Sequence, residues 1–224
     1  MKDLNRYIDH TFLKATATPQ DILKLCNEAK EYNFYAVCLN SCYVSLAANE
    51  LQNSDVKIAS VVGFPLGSNS TRSKVCEAEQ CIKDGADEID MVLNIGYLKA
   101  KMYESVRKEI SAIKEAIGSS LLKVILETCY LTDDEIRIAC QIAKQAGADY
   151  VKTSTGFGTD GATEHVVKIM IDEVGDTLKI KASGGIKNTA TAKRYIEMGV
   201  SRIGTSSGIE IVTSLKKDTD EHTY

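Results

Sequence analysis

No stretch of this chain approaches the ~20 consecutive apolar residues that span a bilayer, so no membrane partner is expected. The opening residues, Met1-Lys2-Asp3-Leu4-Asn5-Arg6, lack the apolar core of a secretory leader. Charge of one sign is not in excess. The chain has 27 basic and 31 acidic residues and a net charge of −4, which offers no attraction to nucleic acid or to anionic lipid. Histidine is scarce, and His10, His165 and His222 are scattered, so neither a Ser-His-Asp triad nor a histidine-rich metal site finds support. Seven cysteines is an odd number without framework spacing, which points to reduced thiols and a cytoplasmic protein. Cys38-x3-Cys42 and Cys76-x4-Cys81 have no histidine beside them and suit helix faces or strand ends better than a metal cage. No linker or shift in composition divides the 224 residues, which are enough for one large core.

What is present is an alternation. Short runs rich in Val and Ile recur at 7–11, 36–40, 57–64, 88–94, 123–128, 150–155, 179–183 and 202–206, several almost uniformly apolar, as buried parallel strands are. Helical periods lie between them. Thr18-Pro19-Gln20-Asp21 and Thr132-Asp133-Asp134-Glu135 are helix starts, and Gly85, Gly118, Gly147, Gly175 and Gly199 are stops. Eight βα units in about 220 residues predict a single-domain α/β protein, a (β/α)8 TIM barrel over residues 1–212 with a flexible polar tail at 213–224. A doubly wound open sheet is the rival, but it would need fewer strands and usually a Gly-rich first turn, which is missing.

A helix stop, a small residue and a strand recur at Gly85-Ala86-Asp87-Glu88-Ile89-Asp90, Gly147-Ala148-Asp149-Tyr150-Val151-Lys152 and Gly199-Val200-Ser201-Arg202-Ile203-Gly204. A looser copy runs from Asn33 to Cys38. These are the even-numbered units, so the spacing puts Cys38, Asp90, Lys152 and Gly204 in one inward layer. Lys152 and Lys181 each interrupt an apolar run where an ammonium would be costly. A free lysine is almost entirely protonated near pH 7. A second ammonium ~4 Å away, at an effective dielectric of ~20, disfavours the charged form by ~4 kcal/mol. One amine then becomes a nucleophile while its neighbour keeps its proton. Asp90 across the layer could relay protons or hold Lys181 in place. Without chemistry, the same residues would be a buried Lys–Asp pair.

Small-residue clusters follow strands seven and eight, Ser183-Gly184-Gly185-Ile186 and Gly204-Thr205-Ser206-Ser207-Gly208. In such barrels these loops often hold a phosphate on backbone N–H groups. A third cluster, from Gly63 to Ser68, is expected to shape the rim.

Ile8-Asp9-His10-Thr11-Phe12-Leu13-Lys14, Gly63-Phe64-Pro65-Leu66-Gly67, Glu88-Ile89-Asp90-Met91-Val92-Leu93-Asn94, Val151-Lys152-Thr153-Ser154-Thr155-Gly156-Phe157 and Lys181-Ala182-Ser183-Gly184-Gly185 together resemble deoxyribose-phosphate aldolase from about residue 5 onward. The resemblance implies a class I aldolase that needs no metal or other cofactor and interconverts 2-deoxy-D-ribose 5-phosphate with acetaldehyde and D-glyceraldehyde 3-phosphate. Its partners would be small phosphorylated sugars and aldehydes, and its assembly, as in many family members, a homodimer. By the motif match, Lys152 forms the Schiff base, Lys181 perturbs it and Asp90 is the acid/base partner. The family's phosphate contacts correspond to Gly156, Gly184, Gly185, Gly204, Ser206 and Ser207. Asp9, Cys38, Thr155 and the terminal Tyr224 are accessory candidates. Two positions depart from the pattern. Ala15 stands where a proline is common, and Phe157 where some members carry a second lysine. A transaldolase-like enzyme and a phosphate-binding protein without turnover remain the competing readings.

Overall fold

A computed structural model describes residues 4–220. Its elements in chain order are β1 (Ile8–Thr11), α1 (Pro19–Glu31), β2 (Ala36–Asn40), α2 (Val44–Glu50), β3 (Lys57–Val62), α3 (Thr71–Lys83), β4 (Glu88–Val92), α4 (Ile95–Lys99), α5 (Tyr103–Ile117), β5 (Leu121–Ile125), α6 (Asp133–Gln145), β6 (Tyr150–Lys152), α7 (Glu164–Val174), β7 (Lys179–Ser183), α8 (Thr189–Glu197), β8 (Arg202–Thr205) and α9 (Gly208–Asp220). The strands are parallel and close in sequence order, β8 pairing with β1. This is the eight-stranded TIM barrel that the alternation predicts.

The helix starts act as read. Thr18 and Thr132 each accept from the backbone N–H three residues on, while Asp21 and Glu135 reach back to complete capping boxes. All five stop glycines have positive φ, as a helix end that turns back into a strand requires. The helices bury stripes such as Ile22, Leu25, Cys26 and Ala29 of α1 against the outer faces of the strands, forming one continuous apolar layer.

Several strands are shorter than their apolar runs. Strand β3 stops at Val62 because Gly63 turns with φ +60°, and β6 stops at Lys152. Beyond β6, Thr153, Ser154 and Thr155 stay buried although the strand has ended, so burial runs on past the strand. The residues beyond are the loops at the C-terminal mouth. The tail expected from residue 213 overlaps α9, which continues to Asp220. Tyr224 lies outside the described residues.

Candidate active site

In barrels of this kind the interior is mostly filled with branched apolar side chains. Here only part of it is. Leu13, Cys38, Ala59 and Val61 form a small apolar cluster with Phe64 near β2 and β3. The rest is charge. Register neighbours bring Asp90 beside Lys123 and Lys152 beside Lys181. Arg202 pairs with Asp9 at 2.6 Å, and Asp9 with Lys181 at 2.5 Å. Lys181 pairs with Asp90 at 2.7 Å, and Asp90 with Lys123 at 2.7 Å. Lys123 pairs with Glu88 at 2.5 Å, and Glu88 returns to Arg202 at 2.9 Å. Three cations and three carboxylates thus alternate around a closed ring. Its members are supplied by β1, β4, β5, β7 and β8, and all are buried.

Lys152 stands outside the ring. Its Nζ donates to Asp90 Oδ2 at 2.9 Å, the same oxygen that Lys181 Nζ reaches at 2.7 Å. The two nitrogens are therefore no farther apart than these bonds laid end to end. Repulsion between two adjacent lysines, as expected from the sequence, is incomplete as a description, because Asp90 sits between them and further charges surround it. The ring is neutral without Lys152, so Lys152 is the one excess cation of the cluster. It also lines a cavity of about 600 Å³ at the C-terminal mouth, which Lys181 does not.

The ring's electrostatics follow from its partners. Burial opposes the charge on Asp90, yet Lys123, then Lys152 and Lys181, hold its carboxyl well below the usual carboxylate range. Burial likewise opposes Asp9, but Arg202, Lys181 and Lys123 bring it down to about 2. Lys181 loses solvation too, and Asp9 and Asp90 outweigh that loss and push it above the ordinary lysine range. Lys181 therefore keeps its proton. Cys38 Sγ lies 3.9 Å from Asp90 Oδ2, and burial pushes its thiol up, which leaves it a neutral filler beside the carboxylate.

The sequence layer is thus assembled: Cys38, Asp90 and Lys152 meet around one oxygen. Gly204 serves the same cluster by its size, since a Cβ there would stand 3.0 Å from Lys181 Cε. Lys123 and Arg202 were missed as members. Lys123 carried the same signal as the other two lysines, a charge inside the apolar run Leu121–Ile125.

The cavity wall includes Thr155, Gly156, Gly184, Gly185, Gly204 and Ser206. Gly184 has φ +85°, and a Cβ there would meet Gly161 Cα at 2.8 Å, so only glycine permits this approach of the two loops. Ser207 does not line the cavity, and its N–H donates to Thr205 Oγ1 at 2.9 Å. Thr205 in turn donates to Ile186 O at 2.7 Å, tying the loops after β7 and β8 together. Lys187, also on the wall, went unread although it follows the glycine pair directly. At the rim, Phe64 and Phe157 meet edge to face, with ring centroids 5.3 Å apart.

The family model for DeoC/LacD family aldolases matches residues 4–212. A curated relative from Finegoldia magna, named deoxyribose-phosphate aldolase, is 56% identical over 210 residues, 94% of this chain and 99% of its own. A crystal structure from Coccidioides immitis superposes with a TM-score of 0.93 at 42% identity, covering 96% of this chain and 86% of that one. A deoxyribose phosphate aldolase from Aeropyrum pernix, described as a unique tetrameric structure, gives 0.87 at 33% identity, with 95% and 91% covered. A match across nearly the whole barrel, joined to a buried lysine–carboxylate cluster under an open mouth, means that the chain belongs to the DeoC/LacD family of aldolases.

Proposed function

We propose that this enzyme reversibly cleaves 2-deoxy-D-ribose 5-phosphate to acetaldehyde and D-glyceraldehyde 3-phosphate through a Schiff base on Lys152. One observation carries the choice of nucleophile: of the three buried lysines in the cluster, Lys123, Lys152 and Lys181, Lys152 is the one that lines the cavity, and it lies outside a charge ring balanced without it. Loss of its proton leaves the cluster neutral, whereas deprotonating Lys181 would strand charge on Asp9 and Asp90.

Lys152 adds to the C1 aldehyde of the opened sugar, and water leaves to give an iminium. Asp90, ionised by its cationic neighbours, takes the C3 hydroxyl proton through a water. The C2–C3 bond breaks, its electron pair moves into the iminium as an enamine, and glyceraldehyde 3-phosphate departs. Protonation of the enamine at carbon and addition of water release acetaldehyde and restore the amine. Lys181 remains an ammonium throughout. The phosphate is gripped by the loops after β7 and β8, through Gly184, Gly185, Gly204 and Ser206, with Lys187 as a cationic neighbour. This grip is remote from the cleaved bond and supplies orientation.

Borohydride reduction in the presence of acetaldehyde is the test. An ethyl group on Lys152, absent from Lys152→Ala, supports the reading. No adduct in the wild type favours a binding protein, and an adduct without cleavage of deoxyribose 5-phosphate favours a transaldolase-like enzyme. We extend the same reading to a homodimer in the cytoplasm. Sedimentation equilibrium tests the assembly.

A further inference from the structure

Glu127 is buried just beyond β5, and its backbone sits at φ +54° and ψ +62°. A non-glycine residue adopts that left-handed conformation only when its surroundings hold it there. Both of its carboxyl oxygens serve one residue. Oε1 accepts the Thr155 N–H at 3.1 Å, and Oε2 accepts the Thr155 hydroxyl in a very short contact. Gly158 closes over the pair, where a Cβ would meet Glu127 Cδ at 3.1 Å and Cys129 Sγ at 2.6 Å. The Phe157 N–H donates to Thr155 Oγ1 at 3.0 Å.

A threonine hydroxyl has one hydrogen and two lone pairs. The hydrogen points to Glu127 and one lone pair takes the Phe157 amide, which leaves a single acceptor position. Thr155 lines the cavity. We infer that Glu127 is a positioning residue that fixes Thr155 Oγ1 as a hydrogen-bond acceptor toward the cavity, so that Thr155 selects a substrate hydroxyl and not a phosphate oxygen or a carbonyl.

The inference rests on the aldolase reading and sharpens it. With C1 on Lys152 and the phosphate in the loops after β7 and β8, Thr155 lies along the chain between them, three residues past Lys152 and next to Gly156. The C3 hydroxyl surrenders its proton to Asp90. The C4 hydroxyl, which is the 2-hydroxyl of glyceraldehyde 3-phosphate, is the donor left for Thr155.

The experiment compares condensation of acetaldehyde with D-glyceraldehyde 3-phosphate and with its 2-deoxy analogue, 3-oxopropyl phosphate, in wild type and Glu127→Gln. Glutamine keeps the shape but presents an N–H, which turns the Thr155 hydroxyl hydrogen toward the cavity. The preference for the hydroxylated aldehyde, measured as a ratio of kcat/KM, is expected to fall roughly tenfold, more than any change in borohydride-trapped acetaldehyde adduct. An unchanged ratio, or equal loss on both aldehydes, overturns the inference and leaves the aldolase reading intact. An absent acetaldehyde adduct in the wild type overturns both. Should Glu127→Gln fail to fold, Thr155→Val must lose the same preference and Thr155→Ser must keep it. Retention in Thr155→Val overturns the inference.

Discussion

A single side chain here is defined by how many opposite charges hold it. Lys123, Lys181 and Arg202 each have two carboxylates, and Lys152 has one. Removing one partner of a buried pair typically costs 3–5 kcal/mol, about as much as a small domain can lose. Lys181→Met should therefore lower the denaturant midpoint by an amount equivalent to ~3–5 kcal/mol. Lys152→Met should stay within ~1 kcal/mol of wild type while losing the adduct, since it removes only the excess charge. Equal destabilisation of the two would show that Lys152 belongs to the ring. These residues were legible as types, charges in apolar strands, and Asp90 as a partner of the lysines, but the rest of the ring was not. A sequence shows that Lys181 is out of place. It does not show that Asp9, 172 positions earlier, compensates it.

At the scale of elements, much of the molecule was readable because local chemistry specifies it. Capping boxes, glycine stops and the 3.6-residue stripes of α1 and α6 are properties of a few neighbouring residues. The short α4, which Asn94 starts by accepting the Tyr97 N–H, escaped because five residues give no period to detect. Another feature hidden from pattern is the pair Lys74–Glu109, 2.7 Å apart, which joins α3 to α5 with both side chains buried. Burial pulls the Lys74 ammonium below the ordinary lysine range, and Glu109 opposes this without overcoming it. The pair is thus poorly compensated. Glu109→Ala should cost ~3–5 kcal/mol, whereas Lys74→Met combined with Glu109→Leu should be neutral or stabilising by ~1–4 kcal/mol. Urea unfolding of the single and double variants checks this. A double variant as weak as the single would mean that the pair contributes net stability.

For the whole molecule, the ring joins five of the eight strands across the barrel interior, so its ionisation couples to the barrel's integrity. The folded pKa of Asp9 is depressed to about 2 from an ordinary value near 3.8. The stability contributed by that depression is fully present above about pH 4 and is lost as pH falls toward 2. Asp90 shifts in the same direction and adds to the loss. Circular dichroism should therefore show one cooperative acid transition in or below that window. High salt should barely protect against it, because buried charges are weakly screened. A broad transition centred near pH 5 would contradict the ring.

The eight strands, their order, the helix ends and the inward layer were determined by the sequence, because each follows from local periodicity or from a charge placed where water is absent. Tertiary structure alone decided which of Lys152 and Lys181 lines the mouth, which carboxylates neutralise the buried cations, and which way the Thr155 hydroxyl points. Those outcomes depend on distances between strands far apart in the chain, and Coulombic and hydrogen-bonding energies depend on distance, to which sequence separation is no guide.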